Sequence, residues 1–590
     1  MVALFSSIVF LTYGFFYILP ALILTRITHA IAWRVNRSGS DSWRMYVVYA
    51  IAALLTGATW VFLLADGWIY DLYSFHINGF VINLVTTPGG IESMGGSTGA
   101  TVLFSLMILA LFLVAVAILW ATHRATTLDS KCAFRLRFRF LIIAFLFLAT
   151  GERIGYGFSS LWGYTPVLTA AHAFPLYTPV TFGSLAEKLG LQPDAGPEFR
   201  FGSDISRLNY PLHALTIEPP AHPYNVVWMI AESLRADMLT PEIMPATWKF
   251  AGKAYRFTRH YSGSNSTRMG VFSLFYGLYG NFWFPFLESR QGPVLFKVLQ
   301  DQGYQGRFFS SQGFTYPEFD KTVFASFPKE VLQSFAIGPG WVRDQRNITD
   351  LLSFLEDRDR SRPFMTYMFF ESPHARYYFP PESVIRTPYL EEFNYATMDR
   401  KRDMPLIFNR YVNSVHHLDK EIARVLDYLV DSKLLDDTIV IITGDHGEEF
   451  MEHGHWGHGS SFVDEQTLVP MVLWMPGTGS GTVDRMTSHL DVVPTILPMF
   501  GVRNPATDYS LGIYMFGQAQ RDYTVVDHWR TLGYIGKDYK ASFDMDNAHY
   551  AGNQVTKADD SPVKDAREFY VAHQADLVQI MNEIARFSAK

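Results

Sequence analysis

The chain has 590 residues, more than one ordinary domain holds, and a single cysteine, Cys132. One cysteine excludes an internal disulfide framework and a cysteine-rich zinc site, so a bound metal must rely on His, Asp, Glu or hydroxyl ligands. Hydrophobic residues make up 49% against 18% charged, which points to a membrane part, and a net charge of -7 argues against nucleic acid as a partner.

The membrane part comes first in chain order. Val2 to Thr25, Met45 to Ala65 and Ala100 to Thr122 carry no charged residue. Each exceeds the roughly 20 apolar residues that a helix needs to cross a bilayer. A fourth run, Phe140 to Gly151, is shorter, but Arg135, Arg137 and Arg139 ahead of it can snorkel. The predicted membrane domain is 1–157, with four helices near 2–25, 45–65, 100–122 and 138–157. Loop 26–44 holds Arg26, Arg34, Arg37 and Arg44, and loop 123–139 holds Arg124, Lys131 and the three arginines above. Loop 66–99 has no Lys or Arg and carries Asp66, Asp71 and Glu92. Basic loops stay in the cytoplasm, so loop 66–99 and everything after the fourth span are expected outside. The first span has no basic flank before it, which argues against a cleaved signal peptide and leaves either a translocated start or a further helix ahead of Met1.

Residues 158–222 are rich in Pro, Gly and aromatics and read as a linker over the membrane surface, with one short helix at 181–190. From Tyr224 onward, apolar runs alternate with helical stretches. The strand candidates are "NVVWMI", "GRFFSS", "PFMTYMFF", "TIVIITG" and "VPMVLWMPG", and the clearest helix is 406–434. Such alternation predicts an α/β domain, 223–590, around a mostly parallel doubly wound sheet. Residues 525–590 read as a peripheral cap.

Ligands of such sheets gather beyond the carboxyl ends of the strands. After "NVVWMI" come Glu232, Arg235 and Asp237. After "PFMTYMFF" comes His374. After "TIVIITG" comes "DHGEEFMEHGHWGHG", with Asp445, His446, His453, His455 and His458. Three strands thus end in metal-capable residues, an oxygen and imidazole set suited to zinc or manganese. Arg235 and Asp237 read as structural. "YSGSNSTRMGVFSLFYG" (261–277) opens with Ser264, Ser266 and Thr267, all N-cap candidates. A hydroxyl at a helix N-terminus is also placed to be a nucleophile, because backbone N–H groups there stabilise an incoming phosphoryl group.

These residues resemble the alkaline phosphatase/sulfatase superfamily over about 224–515. "NVVWMIAESLRAD" is similar to the first strand of lipid A phosphoethanolamine transferases and lipoteichoic acid synthases, which implies Glu232 as a metal ligand. "GDHGE" resembles the second metal motif and implies Asp445 and His446. "SPHARYY" implies His374 as a phosphate-binding residue, and His458 matches a second one. "SHLDVVPTILPMFGV" resembles a further superfamily segment. Spacing to Tyr276-Gly277 sets Thr267 in the nucleophile position, as in the transferases. Ser264 has Arg268 four residues on, but Ser266 stands where a sulfatase has Pro, which disfavours sulfate ester hydrolysis. Over nearly the whole chain the resemblance is to the YejM/PbgA-like inner-membrane proteins, whose five helices imply one more than the four counted here.

The resemblance implies a bacterial inner-membrane, multi-pass protein with its catalytic domain in the periplasm. It implies a divalent metal, zinc first and manganese or magnesium as alternatives. Glu232, Thr267, Asp445 and His446 would be its ligands, with Thr267, His374 and His458 as catalytic groups. His453 and His455 are candidates for a second ion. The implied partners are a membrane phospholipid or lipopolysaccharide, and other inner-membrane proteins. Two functions follow from it, beside the disfavoured alternative of a sulfuric ester hydrolase. One is a phosphatase or phospholipid-headgroup transferase; the other is a lipopolysaccharide or cardiolipin sensor that regulates outer-membrane lipids. The intact "DHGEEFMEHGHWGHG" favours the enzyme.

Overall fold

The computed structural model describes residues 1–35, 41–73, 75–88, 90, 98–128, 138–162, 164–182, 188, 207–335, 337–391, 398–529, 531–545, 554–563 and 565–589. Most of the predicted linker helix at 181–190 lies outside them, as do Cys132, Lys131, Arg135 and Arg137.

The N-terminal part contains helices α1 (Val2–Val35), α2 (Asp41–Tyr73), the short α3 (Gly79–Thr86), α4 (Thr98–Leu128) and α5 (Phe138–Leu161). α1 packs against α2 and α5, and α2 against α4. Phe10, Leu11, Leu113 and Phe147 stay exposed on the outer faces, as lipid-facing side chains do. Among the described residues, three helices are long and apolar enough to cross a membrane: Val2–Arg34, Trp43–Leu72 and Thr101–Arg124. The fourth predicted span forms a helix, α5, which carries Glu152 and Arg153 in its second half. Glu152 is buried and satisfied, paired with Arg153 at 2.7 Å and receiving the Tyr177 hydroxyl at 2.6 Å.

The α/β part is built on an eight-stranded sheet. Its strands are β1 (Asn225–Ala231), β2 (Tyr255–Phe257), β3 (Gln305–Ser310), β4 (Leu332–Gln333), β5 (Phe364–Phe370), β6 (Thr438–Gly444), β7 (Met471–Trp474) and β8 (Gly481–Val483). Their order is β8-β2-β7-β6-β1-β5-β3-β4. Only β7 runs antiparallel to its neighbours β2 and β6. Side chains alternate along β1. Val226, Trp228 and Ile230 enter one core with helix α6 (Thr267–Tyr276), while Val227, Met229 and Ala231 enter the other with helix α8 (Arg400–Asp431), α7 being Gly340–Asp357. Both faces are covered, which is why these strands read as continuous apolar runs.

The C-terminal segment is not the peripheral cap expected. It forms a four-stranded antiparallel sheet, β9 (Tyr523–His528), β10 (Thr531–Gly536), β11 (Tyr539–Asp544) and β12 (Gln554–Lys557). Val525, Leu532, Tyr534 and Phe569 from this segment belong to the same core as Trp228 and Phe275. An antiparallel sheet with one wet face alternates polar and apolar residues, and that lowers its average hydropathy.

Candidate metal and nucleophile site

Register sets the site. Ala231 of β1 pairs with Phe370 of β5 on one side and Gly444 of β6 on the other. The residues that follow, Glu232, Ser372–His374 and Asp445–His446, therefore leave the sheet at one edge. The N-terminus of α6 abuts that edge. A Cβ on Gly270 would lie 2.3 Å from the Asp445 carbonyl oxygen, so only glycine permits this approach.

Ser266 is the N-cap of α6, but its side chain makes no capping hydrogen bond. Thr267, the first helical residue, turns its hydroxyl away from the helix. Its Oγ1 donates to Glu232 Oε1 at 3.1 Å and lies 3.2 Å from His446 Nε2. Ser264 and Ser266 instead bond to each other at 3.0 Å. The capping role thus falls away for Thr267, and the helix start keeps its N–H groups open to an anion.

Glu232, Asp445 and His446 are buried, with one ligand-type atom from each lying within 4.8 Å of the others. Asp445 Oδ1 accepts the N–H groups of Ser233 at 3.0 Å and His446 at 2.8 Å. Among the described residues, Glu232 Oε2 and Asp445 Oδ2 have no hydrogen-bond partner. His446 donates Nδ1–H to the Gly447 carbonyl at 2.8 Å, which leaves the Nε2 lone pair facing the carboxylates. Burial, then the Asp445 charge, pushes Glu232 well above the usual carboxylate range, and burial raises Asp445 to about 7. Burial, then His458, holds His446 well below its ordinary value. Two orphaned carboxylate oxygens beside a neutral imidazole fit a divalent cation, whose charge would remove the cost of ionising both acids.

The two remaining predicted histidines flank this set. His374 Nε2 lies 3.5 Å from Glu232 Oε1. The His458 ring centre lies 4.2 Å from that of His446 and 5.7 Å from that of His374. Burial, with His458 next, lowers His374 to about 3, so it stays neutral. For His458, burial works toward the neutral ring, but Glu448 at 2.7 Å outweighs it and the net shift is upward. Glu448 is itself held: its other oxygen accepts the Tyr377 hydroxyl at 2.5 Å, and Trp456 Nε1 donates to that hydroxyl at 3.2 Å.

The residues expected to hold a second ion are split apart. His453 Nε2 faces Glu465 at 3.2 Å and groups with Asp560, while His455 lies 3.6 Å from Glu449. Neither joins Glu232, Asp445 and His446. Arg235 is structural as read, paired with Asp237 at 2.8 Å and Glu452 at 2.6 Å.

Sequence reasoning gave no role to Glu448, Tyr377 or His489. The signal for Glu448 was its place in "GDHGEE", ten residues before His458. His489, in the "SHLDVVPT" stretch, donates to the Gly270 carbonyl at 3.3 Å and is lowered to about 4, chiefly by burial.

A sulfatase family profile matches residues 224–502, and a profile for a domain of unknown function, DUF3413, matches residues 5–217. An uncharacterized protein of Haemophilus influenzae is 24% identical over 473 residues, covering 79% of this chain and 73% of the relative. Inner membrane protein YejM of Salmonella typhimurium is 25% identical over 481 residues, covering 80% of this chain and 74% of the relative. A solved structure of a protein in the alkaline phosphatase superfamily from Vibrio parahaemolyticus is 15% identical, covers 66% of this chain and 94% of that chain, and has a TM-score of 0.47. Together these matches support a YejM-like member of the alkaline phosphatase/sulfatase superfamily. Ahead of the part that matches the sulfatase profile, three helices among the described residues are long and apolar enough to cross a membrane.

Proposed function

We propose that the protein is a metal-dependent phosphoryl-transfer enzyme of the bacterial inner membrane, acting on a phosphate ester at the periplasmic face through Thr267. The observation that carries this reading is the Thr267 hydroxyl, bonded to Glu232 and beside His446 at an open helix N-terminus. Glu232, Asp445, His446 and Thr267 would hold the cation, zinc by its oxygen and imidazole donors, and its charge would supply Lewis-acid stabilisation.

Thr267 Oγ1 gives its proton to Glu232 Oε1 and attacks phosphorus in line. The Thr267–phosphorus bond forms as the bond to the leaving oxygen breaks. His458, whose hold on its proton Glu448 strengthens, gives that oxygen its proton. Neutral His374 and the N–H groups opening α6 hold the phosphoryl oxygens. Water or a lipid hydroxyl then attacks the phospho-threonine and gives its proton to His458, while the bond from phosphorus to Thr267 Oγ1 breaks and that oxygen takes its proton back from Glu232 Oε1, 3.1 Å away.

The test is zinc content, thermal stability with and without chelator, and p-nitrophenyl phosphate turnover of the detergent-purified full chain. Wild type should retain metal, lose several degrees of Tm to chelator and turn over substrate. Thr267→Ala should keep metal through Glu232, Asp445 and His446, more weakly than wild type, and lose turnover at least 1,000-fold, on the scale of removing a nucleophile. Turnover unaffected by Thr267→Ala would sink the nucleophile, and absence of metal together with turnover would leave the sensor reading.

A further inference from the structure

The reactive groups open into a cavity of about 300 Å³, and part of its wall comes from outside the α/β domain. Glu232, Thr267, His374 and His458 are among its lining residues. Phe80, Val81 and Leu84 of α3 line the same cavity, as do Tyr316 and Trp529. α3 is part of the loop between the membrane helices α2 and α4. It is fixed on the α/β domain: Phe80 packs on Trp529 with ring centres 5.6 Å apart, and a Cβ on Gly79 would lie 3.1 Å from Trp529 Nε1.

Its firmest tie is to the residue after the nucleophile. Arg268 is buried and donates through Nη2 to Asn83 Oδ1 of α3 at 2.8 Å and to Glu318 at 2.9 Å. Its guanidinium also lies over the rings of Trp283, Tyr316 and Trp529 at 5.5, 5.4 and 5.2 Å. One side chain thus positions both the start of α6 and the helix that closes the site. A small, water-soluble phosphate ester has nothing to place against Phe80, Val81 and Leu84. The volume sits at the low end of the roughly 300–1,000 Å³ of small-molecule sites, so it admits the reacting end of a lipid rather than a whole one.

Resting on the Thr267 reading, we propose that α3 is the specificity wall of the reaction site. Through it the site selects a phosphate ester with an apolar chain, laid against Phe80, Val81 and Leu84, over the same phosphate on a soluble carrier.

Two measurements on the full chain in mixed micelles test this. In the first, phosphate release is compared for dioleoyl phosphatidic acid and glycerol 3-phosphate, which share a reacting phosphate. Wild type should prefer the long-chain ester at least tenfold in kcat/KM, and Val81→Arg, which puts a charge in the cavity, should cut that ratio tenfold or more. No preference in wild type, or a ratio that Val81→Arg leaves intact, overturns the proposal. In the second, phosphatidic acid with a photoactivatable chain is cross-linked to wild type and the adducts are mapped by mass spectrometry. Adducts on 79–86 support the wall even if no phosphate is released, a result that would count against Thr267 chemistry alone. Adducts confined to α1, α2, α4 and α5 overturn it.

Discussion

His458 shows how a single residue acquires its role here. Desolvation alone would strip its proton, and the Glu448 carboxylate reverses that balance. Glu448 can do so because Tyr377 and Trp456 fix its other oxygen in a hydrogen-bonded chain. Glu448→Gln keeps the shape and removes the charge. It should reduce kcat for p-nitrophenyl phosphate about 10- to 100-fold with little change in KM, the range seen when partners behind a site residue are removed. A kcat equal to wild type would show that His458 does not need Glu448.

At the scale of elements, the site is a collision between one helix start and one strand end. Gly270 lets α6 approach β6 closely enough for Thr267 to reach both Glu232 and His446. Gly270→Ala must displace backbone rather than a flexible side chain. It should cost about 1–3 kcal/mol of stability, as overpacking does, and reduce turnover as well. A Tm and an activity unchanged from wild type would refute the close approach. This level was largely legible in the sequence. "TIVIITG" and "NVVWMI" read as strands because both of their faces are buried, and the motif residues follow those strands directly. Glu232, Thr267, Asp445 and His446 do meet, and His374 and His458 flank them. What was not legible depends on tertiary contact. The wall around the cavity joins α3, the turn after β9 and the loop at Tyr316, which lie hundreds of residues apart. "GFVINLVT" carries no chemistry of its own, and its eight residues gave no sign that Asn83 meets Arg268. The split of His453 from His455 was hidden for the same reason, since each is claimed by a different glutamate.

For the whole molecule, the C-terminal sheet is part of the structure that supports the site. Asp527 in β9 accepts the Ser264 hydroxyl through its carbonyl at 2.5 Å, and its carboxylate receives the Gly280 N–H. Burial raises that carboxyl to about 7 from an ordinary 3.8. The folded state therefore binds a proton that the unfolded state has released. Stability from this group is full below about pH 4 and falls as pH rises toward 7, by up to about 1.4 kcal/mol per pH unit. Asp527→Asn removes that slope. Wild type should lose more Tm than the variant between pH 5 and pH 8, and parallel losses would exclude Asp527 as the titrating group.

The Asn83–Arg268 tie also bears on how this protein can be taken apart. Every reactive side chain lies after residue 224, whereas Phe80, Val81 and Leu84 lie before it. A fragment cut at the linker would carry the chemistry with one side open, and the faces of Tyr316 and Trp529 would meet water as a bare apolar patch prone to self-association. Such a fragment would work as a generalist toward soluble esters, because discrimination stays behind with the other piece. On the proposed reading, reactivity and selectivity are therefore heritable separately along this chain, and a change in one half would retune the other without touching a reacting atom.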